Sequence, residues 1–199
     1  MHRYTGWALL LLLFGSLPIA LHGGVIFVST DVPKPIWDFN TTYSTVNVPP
    51  LIVGDVNVII TELRHTFMGD LHIWIRSPLG TTVFIYGTTV GFGPGGDDMI
   101  NTVFDDSATL PISSAVPPYT GTFQPVNPLS AFVGENAGGL WTLIIYDRTV
   151  FDEGQLISWA LDITPLSGGG GPQPIPEPAT ALLVATGFAG AVVARRRFA

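Results

Sequence analysis

Cysteine is absent from all 199 residues, which excludes disulfides and thiolate metal sites and leaves a hydrophobic core as the source of stability. Basic residues are scarce, and Arg3, Arg195, Arg196 and Arg197 lie at the extreme ends. Between Asp31 and Glu177, four basic residues (Lys34, Arg64, Arg76 and Arg148) meet fifteen acidic ones, a net charge of −11. Such a segment repels nucleic acid and anionic membranes. Its charge serves solubility outside the cell, or attracts divalent cations and basic partners. Histidine is nearly missing too, with only His65 and His72 beyond the first two dozen residues. With no cysteine and no G-x-S-x-G elbow, no nucleophile, base and orienting acid can be read together. The Gly-rich run Gly87 to Gly96 has no following Gly-Lys-Ser/Thr and opens no helix, so it reads as a surface loop rather than a phosphate cradle. A helical stripe is also lacking from Val46 to Thr164.

What is present begins with two apolar ends, which inflate the mean hydropathy of +0.43. Residues 1–24 read as a signal peptide: His2 and Arg3 precede the apolar run Trp7 to Phe14, and cleavage falls between about residues 20 and 24. Residues 167–175 are a Gly/Pro linker without capacity to bury surface. Beyond it stand Pro176, Glu177 and Pro178, the apolar segment 179–194, and Arg195, Arg196 and Arg197. That segment is shorter than the ~20 residues of a comfortable span, and the arginines favour the cytoplasmic side. It fits a transient membrane stop or a short C-terminal anchor.

Residues 25–166 remain for one domain, the size of a single core. Val25 to Val48 is a lead-in rich in Thr, Pro and β-branched residues, and Asn40-Thr41-Thr42 would accept a glycan only on a eukaryotic secretory route. Val53 to Leu63 alternates, with Val56, Val58 and Ile60 on one face. In His65 to Thr82, Leu71, Ile73 and Ile75 alternate with His72, Trp74 and Arg76, the period of a strand with two different faces. Gly69-Asp70 before that strand and Ser77-Pro78-Leu79-Gly80 after it are turn chemistry, so Thr82 to Tyr86 is the returning strand of a hairpin. Asn101 to Asp106 is a short strand ending in paired aspartates, and Thr109 to Pro128 reads as irregular chain. Leu140 to Tyr146 and Gln155 to Thr164 are aromatic and β-branched strands. Many short strands with Gly and Pro turns predict an all-β sandwich.

Several segments carry a resemblance. GDLHIWIRSPLGT at Gly69 to Thr81, NTVFDDSA at Asn101 to Ala108, the stretch Pro118 to Asp147 and DEGQLISWALDIT at Asp152 to Thr164 resemble the P domain (P/Homo B domain) of proprotein convertases, in order and spacing. Ile36-Trp37-Asp38 departs from it, standing where that family has Ile-Pro-Asp. The resemblance implies a jelly-roll-like β-sandwich; the two apolar ends add a signal helix before it and a short transmembrane helix after it. It marks His65, Gly69, Asp70, Pro78, Gly80, Trp141 and Trp159 as its fold signature. In convertases this domain stabilises and tunes an adjacent subtilisin-like catalytic domain, whose Asp, His and Ser motifs are not found here. The far end resembles the PEP-CTERM sorting signal of Gram-negative bacteria. That implies an exosortase partner, and delivery to the cell surface or extracellular matrix.

The expected role is therefore non-catalytic binding or structure. Two alternatives stand beside it: an accessory to a subtilisin-like protease on a separate chain, and a carbohydrate-binding adhesin. Asp70, Asp105 and Asp106 fall in predicted loops, where they either bind calcium, which takes six to eight oxygen ligands, or cap turns by accepting backbone N–H bonds. No EF-hand spacing is present. Trp74, Trp141 and Trp159 lie in strands, as a sugar-binding face or as packing. His65 is read as a fold-supporting hydrogen-bonder and His72 as a solvent-side residue.

Overall fold

The structure is a computed structural model, and it describes residues 23–87 and 95–166. The signal helix, the linker, the sorting motif and the C-terminal membrane segment fall outside these residues, as does most of the Gly-rich run. Among the described residues no helix is long and apolar enough to cross a membrane.

The described residues form ten strands in two sheets: β1 (Val25–Val28), β2 (Lys34–Ile36), β3 (Thr41–Val48), β4 (Val53–His65), β5 (Leu71–Arg76), β6 (Thr82–Tyr86), β7 (Met99–Phe104), β8 (Tyr119–Phe123), β9 (Gly139–Asp147) and β10 (Gly154–Pro165). One sheet runs β1-β10-β4-β7-β8 with β2 also on β10; the other runs β3-β9-β5-β6. Pairing is antiparallel except between β7 and β8. Three 3-10 turns interrupt the strands, at Met68–Asp70, Ile112–Ser114 and Leu129–Phe132.

The period of two decides which side chains meet. Val56, Val58, Ile60, Leu161 and Ile163 from the six-stranded sheet face Ile73, Ile75, Leu143 and Ile145 from the four-stranded one, all buried. Interdigitating inner faces of this kind are what holds two sheets together. On β10 the alternation breaks after Leu156, and two register shifts around Ser158 absorb the extra residue and return Trp159 to the core. That is the action of a β-bulge. Trp159 donates its indole N–H to Ser44 Oγ at 2.7 Å, and Trp141 donates to Ala137 O at 2.9 Å, so each buried indole has its partner.

One expectation is extended and one corrected. The lead-in Val25 to Val48 supplies β1, β2 and β3, which edge both sheets; its β-branched residues and Thr suit half-buried strands, Pro33 precedes β2, and Pro35 lies within β2, a short strand at the sheet's edge where proline is tolerated. Thr109 to Pro128 is not wholly irregular either. It contains β8, a short strand parallel to β7, whose length and flanking prolines conceal its pattern.

Candidate functional site

The stretch His65 to Thr82 contributes to two distinct places. The first is a sealed corner where the end of β4, the turn Met68–Asp70 and the end of β9 converge. His65 is 2% exposed and Asp147 is 0% exposed, with His65 Nε2 3.0 Å from Asp147 Oδ2. His65 Nδ1 lies 3.0 Å from Phe67 O, so the ring is held at both nitrogens. The backbone N–H of His65 donates to Asp98 Oδ1 at 2.9 Å, and Thr149 N–H donates to Asp147 Oδ1 at 3.1 Å.

Asp70 closes the corner. It is 1% exposed and its Oδ1 has no hydrogen-bond partner. Arg148 binds the carbonyls around it, donating from its backbone N–H to Asp70 O and from Nη2 to Gly69 O, both at 3.1 Å. Burial raises the pKa of Asp147, against the lowering effects of the Thr149 N–H and of His65. Burial also raises the pKa of Asp70, helped by the nearby charges of Asp147 and Asp152. Both directions follow from the cost of desolvating a carboxylate. Gly154 makes the close approach possible: a Cβ there would lie 2.2 Å from Arg64 O and 2.7 Å from His65 Cδ2. Among the described residues no hydroxyl or thiol nucleophile is hydrogen-bonded to His65, and both side chains of the His65–Asp147 pair are 0% exposed.

The other expected site residues are placed separately. Gly80, at φ +95, closes the turn by donating its N–H to Ser77 O at 3.0 Å, a left-handed position that suits glycine. Pro78 packs beneath Gly139, whose added Cβ would sit 3.0 Å from the proline ring. Asp105 Oδ1 accepts the Ser107 N–H at 2.7 Å, while Asp106 accepts the N–H groups of Leu129 and Ser130 at 2.8 Å each. Among the described residues no group of three or more His, Asp or Glu side chains is gathered to hold a metal ion. Asp70 stands in a turn between strands, and that 3-10 turn carries it into the interior.

The second place is the outer face of the four-stranded sheet. Trp141 and Trp159 are fully buried and cannot contribute to a sugar-binding face. Trp74 stands outside the core, and register aligns it with Ile144 on β9 and Phe84 on β6, while Ile144 aligns with Tyr43 on β3. His72 packs edge-on against Trp74 and Phe84, with centroids 5.5 and 5.2 Å away, so it is half-buried among rings rather than simply solvent-side. Thr41, Tyr43, Trp74, Thr82, Ile144 and Tyr146 line a shallow depression of about 390 Å³ on this face.

Sequence reading missed Asp147, Arg148 and Gly154 in the corner, and Tyr43, Phe84 and Tyr146 on the face. The face residues had a signal: each alternates with a core residue on its own strand. The corner residues had none, since they meet His65 only through long-range pairing.

Residues 53–163 match the family model of the proprotein convertase P-domain. The chain belongs to the proprotein convertase P-domain family. Residues 174–197 match the PEP-CTERM protein-sorting motif, outside this P domain. A comparison with curated proteins returns no match. Two solved structures are similar to the chain: the serine protease of Aeromonas sobria bound to its chaperone (TM-score 0.44) and the same serine protease alone (TM-score 0.43), each 21% identical and each covering 71% of this chain. The chain matches 27% of the length of each.

Proposed function

We propose that this chain is an exported, non-catalytic module with a jelly-roll-like P domain, acting by binding or as a structural element at the surface or in the extracellular matrix of a Gram-negative bacterium. Residues 1–24 direct export, and an exosortase processes the tail at Pro176, Glu177 and Pro178, which makes contact with the membrane transient. The observation that carries the non-catalytic reading is the burial of His65 against Asp147, at 2% and 0% exposure. A general base must reach the proton that it abstracts, and this imidazole is sealed behind strands with both nitrogens engaged.

The test is mass spectrometry of the protein recovered from its host, with and without exosortase, together with a peptide-cleavage assay of the purified chain. The expected result is exosortase-dependent loss of the C-terminal segment and no cleavage. Cleavage that His65→Gln abolishes would sink the non-catalytic reading.

Family membership favours a second reading, an accessory to a protease encoded separately. A subtilisin-like protease recovered with the chain from envelope extract would support it. We read Asp105 and Asp106 as turn caps, because each already accepts backbone N–H bonds. A melting transition unchanged by chelator is the expected outcome; a downward shift would restore calcium.

A further inference from the structure

The outer face of the four-stranded sheet is unlike the rest of this acidic domain. Its strands β3, β5, β6 and β9 contain a single carboxylate, Asp147, and that one points inward. Asp31 approaches only the edge of β3, where it accepts the Thr45 N–H at 3.1 Å. Tyr43, Ile144, Trp74 and Phe84 instead form a row across all four strands, about 14 Å long at roughly 4.8 Å per strand. Thr41, Tyr146 and His72 form a parallel row beside it.

The rings brace one another. Trp74 and Phe84 lie 5.2 Å apart and tilted, and His72 braces both edge-on. Tyr43 is 53% exposed at the opposite wall of the depression. The volume of about 390 Å³ lies within the range of ligand sites, roughly 300–1,000 Å³. A low, elongated hollow suits a thin chain better than a flat protein surface, whose anchoring side chains seek deep enclosed pockets. The lining of π faces with threonine and tyrosine hydroxyls matches one chemistry in particular. A sugar ring has an apolar C–H face that stacks on an aromatic ring and a rim of hydroxyls that hydrogen-bond at its edge.

Charge narrows the class. The strands of the face carry no outward carboxylate to bind a basic ligand; Arg76 stands at the rim, aligned with Thr82, but the net charge of the surrounding domain repels a polyanion. We propose that this face is a binding site for an uncharged polysaccharide, whose sugar rings stack on Trp74 and Tyr43 along the depression. The proposal rests on the reading of the chain as an exported binding module and names its partner.

Affinity electrophoresis of the full chain in mild detergent tests it, in gels containing hydroxyethylcellulose, laminarin or galactomannan as neutral glycans and alginate as the polyanion. The wild-type chain should be retarded by at least one neutral glycan, independently of salt. Trp74→Ala should weaken that retardation roughly tenfold and Tyr43→Ala about threefold, the scale of lost aromatic stacking. Trp74→Phe should keep most of it. Tyr43→Ala guards against misfolding, because this exposed side chain can be removed without opening the core. Retardation by no neutral glycan, retardation by alginate alone, or variants that migrate like wild type would each overturn the proposal. Export, tail processing and absence of peptide cleavage are read in separate assays. A failure here therefore leaves the module reading standing, and a failure there leaves this site standing.

Discussion

His65 and His72 are seven residues apart and share the stretch that best marks the family, yet they occupy opposite environments. His65 ends β4 inside the sealed corner, bonded to Asp147 and Phe67; His72 opens β5 on the outer face, packed edge-on against Trp74 and Phe84. The corner fixes how β4, β9 and β10 meet. The outer face contributes little to that closure, although it holds most of the chemistry available to a ligand. One short stretch of sequence thus supplies a buried corner residue to the six-stranded sheet and an outer-face residue to the four-stranded one.

The largest way to break this comparison is His65→Ala. Removing the imidazole opens a cavity and leaves the buried Asp147 Oδ2 without its hydrogen-bond partner, at a cost of about 3 kcal/mol or more. A drop of that size in urea unfolding is expected, while His72→Ala should cost about 1 kcal/mol or less, as for a partly exposed side chain. Equal losses would mean that the corner is no more structural than the face. Gly154→Ala comes next. Its Cβ meets the Arg64 carbonyl at 2.2 Å, so β10 must move away from β4, and overpacking of this kind costs about 1–3 kcal/mol.

Asp70→Asn should act in the other direction. The folded-state pKa of Asp70 is raised, by burial first and then by Asp147 and Asp152. A raised carboxyl pKa contributes stability that is fully present below the unfolded value of 3.8 and lost as pH rises through the folded value. The wild type therefore holds a charge penalty at pH 7 that asparagine removes. A gain of about 1 kcal/mol, or roughly 2–4 °C in Tm, is expected at pH 7, narrowing as the pH approaches 4. A gain that is the same at both pH values would show that the effect is not electrostatic.

The sandwich was legible because its central strands obey a period of two, and the hairpin around Leu71 to Tyr86 was legible because turn residues bracket it. The edges were not. β1, β2 and β8 are short, prolines stand in β2 and in the chain around β8, and β3 is polar along much of its length, so pairing with β9, β10 and β7 is what marks these segments as strands. The candidate sites divide similarly. Trp74 could be placed on an outer face from alternation alone. Its neighbours Tyr43 and Tyr146 could not be brought beside it, because the order β3-β9-β5-β6 is invisible in a linear reading. Asp70 is a related case: Gly-Asp marks a turn, and burial by Arg148 and β9 is a property of the assembled corner.

The smallest expected effect is the one that separates the two regions most cleanly. Tyr43 is 53% exposed, on a strand whose inward residues Ser44 and Val46 carry the packing. Truncating it to alanine removes a ring from the depression but no core contact, so stability should stay within about 0.5 kcal/mol. The same substitution should loosen glycan retention, because the wall opposite Trp74 is gone. If Tyr43→Ala instead shifts the urea midpoint as much as Gly154→Ala does, the outer face is part of the core's support, and the division of labour between corner and face fails.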